Sequence, residues 1–214
     1  MLAPLLIAAV VGYLLGSLPF GYLVARAKGV NIFEVGSKSS GATNVRRVLG
    51  PGPGYLVLAL DAMKGAAAVG IWTYFKVKML VPAGGIDPNA YTPFLGLLGA
   101  LVGHSFSCFT KFRGGKGVAT AAGGFSVLFP LGALIAAVVW GLTLALTRYV
   151  SLSSMLAGVA LTIAAVVLHT TPLMLVACAA VMVFVIIRHR TNISRLIAGT
   201  ENKVGKPKSG FGSP

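Results

Sequence analysis

Residues 117–147 read GVATAAGGFSVLFPLGALIAAVVWGLTLALT, an uninterrupted run without a charge. About 20 apolar residues suffice to cross a bilayer as a helix. This run is too long for one plain crossing, and Gly123, Gly124 and Pro130 interrupt it. It is either one long helix or two short ones bent near Phe129 and Pro130, and that choice sets the fold. The surrounding chain leaves no doubt about its solvent. Its 214 residues are 56% hydrophobic and only 10% charged, where soluble domains carry about 25% charge. The mean hydropathy is +0.87. Working outward, residues 2–25, 53–75, 91–110, 149–168 and 173–187 are further apolar spans. The expected class is an all-α integral membrane protein, with residues 1–203 forming one membrane-embedded domain and 204–214 a disordered tail.

Charge parity decides the ambiguous run. Eighteen Lys and Arg face four acids, and cytoplasmic loops of membrane proteins carry the excess of basic residues. Residues 26–50, the cluster Lys111, Arg113 and Lys116, and the tail from Arg188 onward are therefore placed inside. Residues 76–90, which hold Gly, Pro and Asp87, suit the outer face. For the cluster and the tail to share a side, the intervening chain must cross an even number of times. Residues 117–147 must then cross twice, which also places Arg148 inside. The expectation is seven spans, N-terminus out and C-terminus in. The short half, 117–128, gives about 18 Å of helix, so it is tilted, partly re-entrant or buried in protein. The first span has no charged region ahead of it and no cleavage site before Ala25, which reads as a retained helix rather than a signal peptide. Its Gly12 and Gly16 allow close approach of another helix, and Pro19 predicts a kink.

Three polar stretches punctuate this apolar chain. GSKSSGATNVRR, residues 36–47, combines small hydroxyl and amide side chains with Arg46 and Arg47. It can be a polar turn, but hydroxyls beside guanidinium groups also suit a phosphorylated polyol. GHSFSCFTKFRGGKGVAT, residues 103–120, packs three cations into six residues and sets Gly114, Gly115 and Gly117 around Lys116. Successive backbone N–H groups in a glycine turn make an anion-binding concavity, and a helix beginning near Val118 would add its own. The Walker A spacing is absent. His104 reads either as a hydrogen-bonded structural group or, with Lys111 and Arg113, as part of the phosphate set. RHRTNISRLIAGTEN, residues 188–202, places His189 and Asn192 on one face of a continuing helix and carries Glu201, the tail's one acid. Inside the second span, Asp61 and Lys64 are one turn apart and read as a structural ion pair.

The composition also excludes chemistry. Four acids leave little for two-carboxylate catalysis or a hard-metal site, and no H-e-x-x-h or g-x-s-x-g pattern occurs. Cys108 and Cys178 have no paired spacing and read as small hydrophobes. Positive-inside topology accounts for most of the +14 charge, so nucleic acid is not expected as a partner. No metal and no cofactor is expected, and the expected state is a monomer.

Together the three stretches resemble the bacterial PlsY family, membrane glycerol-3-phosphate acyltransferases that use acyl phosphate as donor. The resemblance extends from the first helix to about Lys203. It implies transfer of a fatty acyl group to the first hydroxyl of sn-glycerol 3-phosphate, giving lysophosphatidic acid and phosphate, the opening step of phospholipid synthesis. It also implies seven helices in the bacterial cytoplasmic (inner) membrane, with the active site facing the cytoplasm. By motif position it implies Ser37, Arg47, Lys116, His189 and Asn192 as catalytic. Thr43, Asn44, Gly114, Gly115 and Gly117 follow as substrate- or phosphate-binding, and Glu201 as structural. Family members often carry Asn-Pro or a similar pair where Ser39 and Ser40 stand, which removes support for those two residues. The H-x-x-x-x-D signature of other acyltransferases is absent, since Phe109 stands five residues after His104. The proton of the attacking hydroxyl would pass to His189 or to a substrate phosphate oxygen. The rival reading is a small transporter of an anionic solute. It would place ionisable groups at the bilayer midplane in repeated halves, whereas here the polar motifs gather at one face and no repeat is visible.

Overall fold

In a computed structural model that describes residues 2–74 and 87–205, all regular structure among the described residues is helical. The helices are α1 (Leu2–Ser17), α2 (Phe20–Arg26), α3 (Ala42–Leu49), α4 (Pro51–Tyr74), α5 (Thr92–Ser105), α6 (Val118–Leu128), α7 (Pro130–Thr147), α8 (Val150–Val167), α9 (Pro172–Arg188) and α10 (Arg190–Ile197). Among the described residues, five stretches are long and apolar enough to cross a bilayer: Leu2–Arg26, Pro51–Tyr74, Thr92–Thr110, Pro130–Thr147 and Val150–Val167. A sixth exists if α9 and α10, bent by 60° at their junction, form one span, and α6 is a shorter apolar helix. Large side chains such as Leu6, Leu134, Leu146 and Val176 are exposed, as expected where lipid is the solvent. Most of the outer-loop stretch read at 76–90, and the end of the tail, lie outside the described residues.

Proline sets the breaks where the sequence placed them. Leu18 and Pro19 separate α1 from α2, and Phe129 separates α6 from Pro130 at the start of α7. Pro lacks an N–H and clashes with the preceding turn, so it is stable at a helix start and disruptive inside one.

The chain forms two compact units that divide between Leu134 and Ile135. In the first, glycine lets helix backbones touch. Gly12 and Gly16 of α1 lie against Gly96 and Ala100 of α5, and Gly99 and Gly103 return the contact onto Ala9 and Tyr13. Gly65 and Gly123 do the same between α4 and α6. A Cβ at any of these positions would strike a backbone atom of the facing helix. Without a hydrophobic drive between helices in lipid, such close packing is what holds them. The segment between α2 and α3 is pinned by Ile32 and Phe33, which are buried against Ala25, Val45 and Val57. In the second unit α8 packs on α9.

Candidate active site

The first polar stretch is shaped by one amide. Asn44 sits in α3 and is 2% exposed. Its Oδ1 accepts the Ser37 N–H at 2.8 Å. Its Nδ2 donates to the carbonyls of Ser39 (2.9 Å), Val35 (3.2 Å) and Ile32 (3.3 Å). An Asn side chain offers two donors and one carbonyl, and here they all turn inward. Asn44, expected as a substrate contact, has its side chain bonded to the backbone of residues 32–39. That folding leaves Ser37 and Thr43 exposed and Arg47 half-buried in the last turn of α3. The guanidinium of Arg46 lies over the Tyr55 ring, 5.6 Å from its centroid.

The second stretch is a turn with unusual backbone. Lys111 and Phe112 both adopt left-handed conformations, φ 52° and 57°, a region that costs energy for residues bearing a Cβ. Side-chain bonds compensate. Ser107 Oγ accepts the Phe109 N–H at 3.2 Å and donates to the Ser17 carbonyl at 2.6 Å, while Thr110 Oγ1 donates to the Arg113 carbonyl. The Gly115 N–H donates to the His104 carbonyl at 3.1 Å. Gly117, at φ 83°, is the residue from which α6 starts at Val118, as expected. Lys116 is half-buried directly before it and Lys111 is exposed.

These two stretches meet. Ser39 Oγ donates to the Gly114 carbonyl at 3.2 Å, and Gly41 lies beside the Gly115 Cα. The guanidinium of Arg113 donates to the Phe33 carbonyl at 2.8 Å and stacks 4.5 Å from the Phe33 ring centroid. Arg113, expected as a phosphate contact, thus spends its planar face on joining the two loops. Ser39 and Ser40, where the resemblance lends no support, are at the junction: Ser40 is buried, with its carbonyl against Gly21. Phe33 lies outside the motifs, and the sequence held no signal for its role beyond an apolar residue in a polar loop. The result is a glycine loop and a helix N-terminus walled by hydroxyls, with Lys116 beside them and Arg47 in the stretch that forms the wall. Such a surface can receive phosphate.

Asp61 and Lys64 form the expected pair, Nζ to Oδ1 2.8 Å, with both side chains 3% exposed. His104 is buried beside them, Nδ1 facing the same oxygen at 3.5 Å.

The third stretch belongs to the second unit, and the helix there does not continue as the sequence predicted. It breaks at His189, which ends α9 and precedes α10. The cause is visible in its bonds: the His189 N–H is shared between the Val185 and Ile186 carbonyls, and the His189 carbonyl accepts the Asn192 N–H. His189 and Asn192 are nonetheless both buried. His189 Nδ1 lies 2.8 Å from the Val185 carbonyl, and because a carbonyl only accepts, Nδ1 is the donor of that bond. Glu201 gathers three donors: Asn192 Nδ2 at 2.7 Å, Ser151 Oγ at 3.0 Å and Arg195 Nε at 2.7 Å. Burial pushes its carboxyl up, but the hydrogen bonds from Arg195, Asn192 and Ser151 outweigh this and hold it below the usual glutamate range. Among the described residues no group of three His, Cys, Asp or Glu could hold a metal ion.

Known proteins resemble this chain over nearly its whole length. The family model described as glycerol-3-phosphate acyltransferase matches residues 6–199. A glycerol-3-phosphate acyltransferase from Synechococcus sp. (strain JA-2-3B'a(2-13)) is 47% identical, over 94% of this chain and 95% of the relative. One from Desulforamulus reducens is 41% identical, over 92% and 94%. Two crystal structures of PlsY (YgiH), an integral membrane glycerol 3-phosphate acyltransferase, are similar throughout. The glycerol 3-phosphate form has a TM-score of 0.85 at 35% identity, covering 94% of this chain and 96% of the other. The lysophosphatidic acid form has 0.83 at 34%, covering 94% and 95%.

Proposed function

The chain belongs to the glycerol-3-phosphate acyltransferase family, and on that premise we propose the following reaction for it. A fatty acyl group passes from an acyl phosphate to the first hydroxyl of sn-glycerol 3-phosphate. The products are 1-acyl-glycerol 3-phosphate and inorganic phosphate. The observation that carries this reading is the junction of the first two motifs, where Ser39 bonds Gly114 and the glycine loop opens beside Lys116.

An acyl phosphate is a mixed anhydride with a good leaving group, so no acyl-enzyme is required. The glycerol oxygen attacks the acyl carbon directly. The carbonyl π electrons move to oxygen and return as the carbon–oxygen bond to phosphate breaks, and phosphate leaves with that electron pair. The donor phosphate is attached to the reacting carbonyl. One cation that serves both the phosphate and the developing oxyanion must therefore sit at the donor, which assigns it to Lys116 and the glycine N–H groups. Arg47 takes the phosphate of glycerol 3-phosphate, with Ser37 and Thr43 from the same loop orienting the polyol. Asn44 acts by folding that loop. His189 accepts the hydroxyl proton, Asn192 contacts substrate, and Glu201 fixes Asn192. Positioning and cations supply the rate, and neither a metal nor a coenzyme takes part.

Residues 1–203 serve as one acyltransferase domain in a multi-pass membrane protein. The proposed topology keeps seven spans, N-terminus outside and C-terminus inside, in the bacterial inner membrane, as a monomer with the glycine loop toward the cytoplasm. Purified protein mixed with palmitoyl phosphate and sn-glycerol 3-phosphate, without added metal and with EDTA present, is expected to release phosphate only when both substrates are there. Lys116→Ala is expected to lower turnover at least ~100-fold while purifying in normal yield. Near-normal turnover in that variant removes the loop from the mechanism.

A further inference from the structure

One buried charged group plays no part in the reaction as written. Asp61 lies in α4, and its counter-charge Lys64 is itself fixed, donating to the Leu18 carbonyl at 3.0 Å in the break between α1 and α2. Charges inside a membrane protein are expensive and generally have a use, and an aliphatic pair would fill the same space at less cost. What Asp61 faces is His104, and what His104 supports is the glycine loop. The His104 ring packs so closely under Gly115 that a Cβ there would collide with Nε2, and a Cβ on Gly114 would collide with the His104 carbonyl oxygen. That carbonyl also accepts the Gly115 N–H. Among the described residues, His104 Nδ1 has no hydrogen-bond partner other than what it faces at 3.5 Å, Asp61 Oδ1. A cavity of about 10 Å³ lies between these groups, lined also by Ser17, Ser40, Ser107 and Arg113, about the room of one water molecule. The imidazole is thus held on one edge by a carboxylate and on the other by the loop backbone.

We infer that Asp61 is a positioning residue for acyl transfer: through the His104 ring it fixes the height and tilt of Gly114 and Gly115, and so the aim of the loop N–H groups and of Lys116. This rests on the reading of the glycine loop as the donor-phosphate site. A contact that only filled space would leave both substrates' apparent affinities alone or weaken them together. Asp61 acts through the ring that packs on Gly115, so its loss falls first on the substrate held by that loop.

The test is steady-state kinetics, with each substrate varied in turn, on Asp61→Asn/Lys64→Met. This double variant removes both buried charges together and keeps the volume filled. His104→Gln is the second variant, because it leaves the ion pair in place. In each, KM for palmitoyl phosphate is expected to rise at least tenfold, while KM for glycerol 3-phosphate stays within twofold and thermal unfolding in detergent stays close to the parent. An unchanged KM for palmitoyl phosphate in either folded variant, or an equal rise in both KM values, overturns the role. Lys116→Ala, measured alongside, separates the two readings. If it is inactive while the double variant is kinetically normal, only the positioning role fails. If it is active, the donor-site reading itself fails.

Discussion

At the scale of single residues, the site depends on side chains whose hydrogen bonds run to the protein itself. Asn44 ties one N–H and three carbonyls together. Asn44→Ala leaves those groups, the Ile32 carbonyl in a buried bond, without this partner, at a cost of about 1–3 kcal/mol. Its unfolding midpoint should fall and kcat/KM should drop at least tenfold, read by thermal unfolding and by phosphate release on the same sample. Gly115→Ala should behave differently. Its methyl group meets the His104 ring, so the loop must lift, and activity should fall far more than stability does. Equal losses in the two measurements would place Gly115 among ordinary packing positions. These cases show where the sequence was legible. The residue types suited to phosphate announce themselves by chemistry and spacing. Asn44 and Arg113 have the same chemistry, but only their partners reveal that their polar groups are turned toward the protein. Those partners, Ile32, Phe33, Val35 and Ser39, are backbone carbonyls, which leave no mark in a sequence.

At the scale of elements, helix ends were easier to foresee than helix bends. Pro19, Pro51, Pro130 and Pro172 lie at or beside helix starts, because proline's missing N–H belongs there. The bend at His189 had no proline and no glycine to announce it, so a continuous helix was the natural expectation. What fixes the geometry after the bend is Glu201, which ties α10 through Asn192 and Arg195 and reaches Ser151 of α8. Its carboxyl titrates below the usual range in the folded protein, against about 4.3 when unfolded. The sign follows: the stabilisation is fully present above the unfolded value and is lost as pH falls through the lower folded value. Glu201→Gln removes that dependence. Measured by thermal unfolding between about pH 6 and pH 3, the parent should lose more stability than the variant does, and the two curves should converge at the acid end. Parallel curves would mean that Glu201 is not the titrating group.

At the scale of the whole molecule, the remaining question is how often the chain crosses the bilayer. Lipid-facing leucines follow from composition, and the close approach at Gly12 and Gly16 from their spacing, whereas the contacts of Gly65 and Gly123 show only in the fold. Topology rests on a sum over loops, and the weakest member of that sum is α6. Its 11 residues rise about 16 Å against a hydrocarbon core of about 30 Å, yet the seven-span count requires it to connect opposite faces. Glycine offers a physical route. Gly123 and Gly124 set α6 against α4 and Leu97 of α5, so its middle is covered by protein rather than lipid, the condition under which a short or broken segment is tolerated at membrane depth. Leu131, exposed in the first turn of α7, marks the far end. In a background carrying Cys108→Ser and Cys178→Ser, a single cysteine at Leu131 is compared with one at Lys111, which is exposed on the other side of α6 in the chain, in sealed vesicles of known orientation, using a thiol reagent that cannot cross the membrane. With seven spans, L131C reacts only from the outside and K111C only from the inside. If both react from the same side, α6 enters and returns on one face. The positive-inside sum then has to be rebuilt with an even number of crossings, and the N-terminus moves to the cytoplasm.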